Sequence, residues 1–218
     1  MKKIVIKIIL VIAILFLLSR VYYFVIISRA YDAILNFKNE TNRYYSVTMI
    51  NNGQNTIKEE IFIKDNIVKC NEKNDEAILH QEWKDFNNKQ EYIIDFRNKT
   101  FKEKTLARNE QSFLKNLPRA ILDSYQDDTF NLKQFLKIKY IIPVKYENQK
   151  CYKIVTNVGT VIINKHTYLP IYSTIKVTNS TEDTSTLTEN RYEFKIDEVT
   201  NEDVALPDLT EFEDIIQK

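Results

Sequence analysis

Histidine and cysteine, which commonly act as bases, nucleophiles or metal ligands near neutral pH, are scarce in this 218-residue chain, with two of each. His80 stands in the stretch L-H-Q-E-W, where a strand would place it on the face opposite Trp83. His166 follows Asn164-Lys165 in a predicted turn. Polar neighbours at both positions favour solvated side chains. Two histidines hold a metal only with a further ligand, and no residue supplies one at a recognisable spacing.

Enzyme motifs are missing from the sequence. The chain has two glycines, which are too few for a glycine-rich phosphate loop or a dinucleotide turn. It contains no G-x-S-x-G elbow, no H-E-x-x-H helix and no paired-cysteine metal spacing. A catalytic triad is a spatial arrangement, so a hydrolase remains a residual alternative. The sequence predicts a protein that is not an enzyme and has no cofactor.

The two cysteines, Cys70 and Cys151, leave two alternatives open. An exported protein permits one disulfide between them. Two buried free thiols are equally compatible, because thiols pack well in β-sheet cores.

An apolar N-terminal segment is the strongest single signal in the sequence. The stretch from Ile4 to Ile27 is apolar apart from Lys7, Ser19, Arg20, Tyr22 and Tyr23. As a helix it would span about 36 Å, enough for a tilted membrane crossing, whereas the core of a cleaved signal has roughly 7–15 residues. Residues 28–30, Ser-Arg-Ala, form a weak cleavage site, so a cleaved signal stays an alternative. We expect residues 1–29 to be an uncleaved anchor and residues 30–218 to form one domain.

Charge indicates where that domain lies and what it does not bind. Lys2, Lys3 and Lys7 precede the apolar core and favour a cytoplasmic N-terminus, which leaves the domain outside the cytoplasm on a single-pass anchor. Residues 1–29 hold five of the 31 basic residues and no acid, so residues 30–218 carry 26 basic against 30 acidic residues. A mildly acidic domain lacks the basic footprint of nucleic-acid binding. No cysteine lies near the end of the apolar segment, which excludes lipoprotein acylation there.

Hydrophobic periodicity after the anchor predicts an α+β fold. Ala30–Asn42 has helical spacing, and the chain then alternates apolar and polar residues between polar turns, starting with the hairpin signal Asn52-Gly53. The predicted strands lie near residues 45–49, 57–63, 67–71, 78–85, 92–96, 101–105, 140–146, 151–158, 161–163, 171–178 and 186–199. Helical patterns over Asn109–Asp127 and Phe130–Lys137 interrupt them. We expect one large curved antiparallel sheet with helices covering one face.

Aromatic residues in the strands have two interpretations. Core packing and β-propensity account for them without any ligand. Alternatively, they line an apolar groove between the curved sheet and its helices that accepts an acyl chain. The residues that would line it are Phe62, Trp83, Tyr92, Ile94, Phe96 and Phe101.

One stretch resembles a known family. The sequence V-I-I-N-K-H-T-Y-L-P-I-Y-S is similar to the strand–turn–strand of the lipoprotein-carrier (LolA-like) superfamily, with Asn164 opening the turn and Thr167, Leu169 and Pro170 leading into the next strand. The closing R-Y-E-F-K-I-D-E-V-T resembles the last strand of such domains. The order of elements over residues 30–210 is also similar.

The resemblance implies an open half-barrel whose concave face is covered by helices. Members hold lipid or acyl groups in that hollow or use the same shell to bind proteins. Tethered versions occur in spore-forming bacteria, where one partners a cortex-modifying amidase in germination, and the Ile-, Lys- and Asn-rich composition fits an AT-rich genome. We therefore expect a membrane-anchored envelope protein that binds a lipid or acyl ligand. The alternative is a sporulation or germination module that binds an envelope protein partner and no lipid.

Overall fold

A single helix, α1, opens the chain and runs from Lys2 to Asn39. The computed structural model describes residues 2–51, 53, 55–75, 77–106, 137–157, 159–179 and 184–215. No glycine or proline precedes Gly53, so nothing in the sequence breaks the helix. At its C-terminal end, Arg43 Nη1 donates to the carbonyls of Lys38, at 2.6 Å, and Glu40. Carbonyls at the end of a helix need partners from outside the helix, and Arg43 is such a partner. The predicted anchor and the predicted helix from Ala30 are thus one element.

The described strands form one open sheet of 12 strands in the order β12-β6-β5-β4-β3-β2-β1-β11-β10-β9-β8-β7. Every pairing is antiparallel except the short parallel contact of β12 with β6. The strands are β1 Asn42–Asn51, β2 Asn55–Lys64, β3 Ile67–Asn74, β4 Ala77–Asp85, β5 Gln90–Asp95, β6 Thr100–Thr105, β7 Ile138–Tyr146, β8 Gln149–Thr156, β9 Gly159–Asn164, β10 Pro170–Asn179, β11 Thr184–Ile196 and β12 Glu213–Asp214. Each of the eleven predicted strand segments corresponds to one of β1 to β11, whereas β12 was not predicted.

Two consecutive hairpins are closed by the same turn sequence, D-F-x-N-K, at residues 85–89 and 95–99. In each turn the aspartate Oδ1 accepts hydrogen bonds from the backbone N–H groups two and three residues later, and Oδ2 accepts one from the asparagine side chain. The lysine that ends each turn has a positive φ, 57° at Lys89 and 51° at Lys99. These turns fix the register of β4, β5 and β6.

The second half of α1 packs on one face of the sheet, which we call the helix face. Ile26 and Ala30 contact buried residues of β7, β8 and β9, including Ile141, Tyr152 and Ile154. Ile34 and Phe37 pack against Tyr45 of β1, with Ile61, Leu169, Tyr192 and Phe194 around them. Successive turns of the helix therefore contact successive strands, from β7 to β2.

A C-terminal segment, residues 197–215, lies on the opposite face. Asn42 holds its start by a reciprocal pair of hydrogen bonds with the backbone of Val199, at 3.0 and 3.1 Å. Val199 and Val204 pack on Tyr44, together with Phe62 and Ile67. The segment then reaches β6, where its last part forms β12.

The coarse prediction, an apolar N-terminal helix followed by a large antiparallel sheet, is confirmed. The helices predicted over Asn109–Asp127 and Phe130–Lys137 fall almost entirely on residues 107–136, which lie outside the described residues. Within the ranges described, α1 is the only helix, and it packs on one face of the sheet with the half that follows Arg20.

Candidate functional site

The aromatic residues singled out in the sequence come together on the sheet face opposite α1, which we call the aromatic face. Phe62, Lys69, Trp83 and Tyr92 lie directly opposite one another on β2, β3, β4 and β5. Ile94 and Phe101 pair in the adjacent row of the same face. The Trp83 and Tyr92 rings meet at 5.8 Å between centroids, and those of Tyr92 and Phe101 at 6.3 Å.

The C-terminal segment, rather than α1, covers these residues. Trp83 Nε1 donates to the Val204 carbonyl at 2.7 Å, and Lys69 Nζ reaches the carbonyl of Ala205 at 3.5 Å. Phe96, in the turn after β5, packs edge-on against Phe212 with ring centroids 5.4 Å apart. A ligand on the aromatic face would therefore lie between the sheet and this segment.

A row of buried polar residues crosses the same face beside the aromatic residues. Ser46, Glu60, Asn71 and Gln81 lie opposite one another on β1 to β4, and the row continues to Ile94 on β5. All four of these polar residues are buried. An apolar surface thus adjoins a line of hydrogen-bonding groups, which is the arrangement that an amphipathic ligand requires.

Two amides in this row have an atom without a hydrogen-bond partner. Gln81 is 2% exposed and Asn71 is 6% exposed, and they face each other across β4 and β3. The Gln81 Nε2 donor and the Asn71 Oδ1 acceptor both lack partners. A buried polar atom left unpaired costs about 1–3 kcal/mol, so a site that retains two of them is suited to bind a polar group.

Glu60 is the charged centre of the polar row. Its Oε1 accepts from Lys58 Nζ at 2.8 Å and from the Tyr44 hydroxyl at 3.3 Å, and its Oε2 accepts from Lys73 Nζ at 2.6 Å. Burial acts to raise the pKa of Glu60, but the hydrogen bonds from Lys58 and Lys73 outweigh it and lower that pKa. The carboxylate is therefore ionised at neutral pH. It holds the ammonium groups of Lys58 and Lys73 close to the amide pair.

We predict that Glu60→Gln lowers the free energy of unfolding at neutral pH by about 1–3 kcal/mol, because two lysines lose their charged partner. Since the pKa of Glu60 is lower in the folded than in the unfolded chain, its stabilisation is complete above the unfolded pKa of about 4.3. The difference from wild type should shrink as the pH falls below that value. Urea unfolding between neutral and acidic pH measures it.

Glu193→Gln is the matched control for this prediction. Glu193 stands in the same row, opposite Ser46, and pairs with Lys195 at 3.0 Å on the exposed surface. We expect a loss of about 0–1 kcal/mol, since exposed ion pairs contribute little. Equal losses in the two variants would contradict the role assigned to the buried cluster.

The two cysteines are free thiols, which corrects the possible disulfide between Cys70 and Cys151. Cys70 lies on β3 and Cys151 on β8, six strand spacings apart in the sheet order. At about 4.8 Å per spacing this places them on the order of 29 Å apart along a flat sheet, whereas a disulfide needs Cα atoms within about 7 Å. Burial raises the pKa of the Cys70 thiol to about 12 and also raises that of Cys151.

We predict that both thiols react slowly with a thiol-specific reagent at pH 8 while the protein is folded. The thiolate is the reactive form, and a raised pKa keeps its population low. Reaction with Ellman's reagent should release less than one equivalent quickly in buffer and two equivalents in denaturant. Fewer than two equivalents in denaturant without reductant would reveal an oxidised pair and overturn this assignment.

The histidines lie where the sequence analysis places them. His80 pairs with Asp95, one strand position from Gln81, on the helix side of the sheet and away from Trp83. His166 is exposed, and its backbone N–H donates to Asn164 Oδ1 at 2.7 Å in the turn. Among the described residues, no group of three or more His, Cys, Asp or Glu side chains is placed to hold a metal.

Sequence reasoning missed Glu60, Asn71 and Gln81. Each lies two positions along its strand from Phe62, Lys69 or Trp83, and residues two apart on a strand point to the same face. Phe62 and Trp83 were singled out in the sequence, and Lys69 pairs with both of them. Alternation shows this within one strand. Recognising that all three share a face requires the register between strands, which the sequence pattern leaves open.

No family model matches the sequence, and no curated protein matches it. Among solved structures, the crystal structure of an uncharacterized conserved protein from Thermus thermophilus is similar, with 9% sequence identity and a TM-score of 0.44 over 87% of this chain and 96% of that one. A similarity of this extent assigns neither a family nor a function.

Proposed function

We propose that this protein is a non-catalytic, membrane-anchored binding domain that holds an acyl chain or another apolar ligand on its aromatic face, outside the cytoplasm. The observation that carries the proposal is the position of the buried amide pair, Asn71 and Gln81, next to Trp83 and Ile94 on one face. The apolar residues would take the ligand's chain, and the polar row would take its head group. The LolA-like half-barrel, with helices over its concave face, belongs to the same proposal.

The continuity of α1 supports a retained anchor. Cleavage after Ala30 would cut the helix inside the core, because Ile26 and Ala30 are buried against β7, β8 and β9. Residues 4–18 are exposed and, apart from Lys7, apolar, and α1 is long and apolar enough to cross a membrane, although a signal sequence passes the same test. Retention predicts that the mature protein keeps its N-terminus, which intact-mass measurement of the membrane fraction tests.

Photo-crosslinking with a diazirine fatty acid tests ligand binding on the full-length chain. We expect crosslinks in the strands that carry Phe62, Trp83 and Tyr92, and loss of these crosslinks when unlabelled fatty acid is added. A bound chain should also change the fluorescence of Trp83, the single tryptophan. Peptides from residues 4–18 serve as the internal control, because an anchor meets lipid whether or not the sheet does.

Crosslinks confined to residues 4–18, with unchanged Trp83 fluorescence and no lipid co-purifying with the chain, would count against this function. They would favour the second candidate, an envelope module of sporulation or germination that binds a partner protein and no lipid. The C-terminal segment favours that candidate, since it already occupies the aromatic face through Val204 and Phe212. A chain that ends at Ala205 keeps Val199 and Val204 but lacks Phe212, so Phe96 is uncovered. This shortened chain should capture more of such a partner than the full chain does.

A further inference from the structure

The apolar part of α1 that extends beyond the sheet matches the thickness of a bilayer. The large apolar side chains between Ile4 and Leu18 are exposed. From Arg20 onward the helix contacts the sheet, beginning with Arg20 Nη1, which donates to the Ile138 carbonyl of β7 at 3.1 Å. Residues 2–19 span about 27 Å as a helix, against a hydrocarbon thickness of about 30 Å. The sheet therefore begins where the bilayer ends.

The direction of α1 across the sheet determines which strand faces the membrane. Arg20 contacts β7, Tyr22 contacts Tyr152 of β8 with ring centroids 6.4 Å apart, and Phe37 packs on Tyr45 of β1. The N-terminal part of the helix consequently projects past the β7 side of the sheet. Within the described sheet, β7 is the terminal strand. Its edge is then the part of the sheet that lies against the bilayer surface.

Strand β7 carries side chains that suit a lipid interface. Lys137 and Lys139 flank the Ile138 that Arg20 binds, and both are exposed. The register shifts between Ile138 and Tyr140, so Lys139 sits in a bulge and has no partner residue on β8. Tyr140 and Ile142 are each 42% exposed. Tyrosine and lysine are typical of the headgroup layer, where an apolar stem and a polar tip are both accommodated.

The charge of this edge differs from that of the domain as a whole. Residues 137–153, which form β7 and most of β8, contain five lysines and one glutamate. Residues 30–218 as a whole carry 26 basic and 30 acidic residues, once the five basic residues of the anchor are subtracted from 31. A positive edge on an acidic domain is complementary to anionic phospholipid, which attracts lysine side chains that lie close to the membrane surface.

We propose that the β7 edge, through Lys137, Lys139, Tyr140 and Ile142, is a docking surface for anionic phospholipid headgroups that holds the sheet directly on the membrane. The inference rests on the retained anchor of the proposed function and adds a second, lipid-specific contact to it. Docking would fix the orientation of the domain relative to the membrane, because α1 continues from the apolar segment onto the sheet as one helix without a linker.

Fluorescent labelling of the full-length chain in vesicles tests the inference. Tyr140→Cys is labelled with an environment-sensitive fluorophore, and the slow reactivity expected of Cys70 and Cys151 keeps labelling at native positions low. Ile215→Cys is the matched control, 52% exposed beside β6 at the other end of the sheet. The vesicles contain phosphatidylcholine alone or with phosphatidylglycerol, and quencher lipids carry a spin label near the headgroup.

We expect the probe at position 140 to lose most of its emission in phosphatidylglycerol vesicles and the probe at position 215 to keep its emission. Lys137→Glu with Lys139→Glu should restore the emission at position 140. Equal quenching in both kinds of vesicle would overturn the assignment to anionic headgroups. Quenching at position 140 no greater than at 215, in a chain that resists alkaline carbonate extraction, would overturn the docking surface. Release of the chain by carbonate would instead overturn the anchor on which the inference rests.

Discussion

Replacing Phe37 by alanine is expected to lower the free energy of unfolding by about 3–5 kcal/mol, the usual cost of removing a buried phenylalanine side chain. Phe37 is 1% exposed and packs edge-on against Phe194 with ring centroids 4.9 Å apart. Its ring also meets Tyr45 at 6.1 Å. A loss of this size is a large share of a typical domain stability of about 5–15 kcal/mol.

Phe24→Ala is the control for this substitution. Phe24 belongs to the same helix and is 49% exposed, so its removal should cost roughly 0.5 kcal/mol or less. Urea unfolding of both full-length variants in detergent micelles, followed by far-ultraviolet circular dichroism of the sheet, measures the difference. Similar midpoints for the two variants would show that α1 does not hold the sheet together as its contacts indicate.

Replacing both Asn71 and Gln81 by leucine is expected to separate ligand binding from stability. The delipidated chain should be at least as stable as wild type, because replacing both members of a facing polar pair by apolar groups removes their unpaired atoms. Affinity for the proposed acyl ligand should fall by about tenfold or more, equivalent to about 1.4 kcal/mol, because its head group would lose buried hydrogen-bonding partners. Fatty-acid crosslinking and urea unfolding on the same preparation give the two measurements.

Asn190→Leu is the control for the amide pair. Asn190 is also buried with an unpartnered Oδ1, but it lies opposite Met49 on the helix face, where its Nδ2 donates to Ser173 Oγ at 3.2 Å. The Asn190→Leu variant should be less stable than wild type and should keep the wild-type affinity for the ligand. Unchanged affinity together with lower stability in the Asn71 and Gln81 variant would show instead that those amides have only a structural role.

Local patterns in the sequence were sufficient to predict the strands and many of their turns. Strands β1 and β2 pair as the predicted hairpin requires, up to Asn51 opposite Asn55, and Gly53 between them has a φ of 73° that favours glycine. Asn164 opens the predicted turn by accepting from the backbone N–H groups of His166 and Thr167 at 2.7 and 3.2 Å. Pro170 begins β10 as expected, where a missing N–H costs little. These features depend on residues close together in the chain, so their signals are local.

The candidate site was predictable only in part. Alternation alone placed Trp83 and the apolar residues near it on strand faces, and their clustering on one face follows from short turns that fix the register. Nothing local indicates that Val204 and Phe212 return to cover that face, because 121 positions separate Trp83 from Val204. The same holds for the Arg20 contact with Ile138, which spans 118 positions.

By itself, then, the sequence determined the apolar helix, the positions of eleven strands along the chain and the absence of recognisable enzyme motifs, because composition and period act over a few residues at a time. The tertiary structure alone decided that the apolar N-terminal segment continues into the core helix, that Cys70 and Cys151 lie too far apart to pair, and that Asn71 faces Gln81 beside Trp83. Each of these depends on which strands become neighbours and which face α1 covers. Those choices are made by packing between distant segments, for which one sequence carries no local signal.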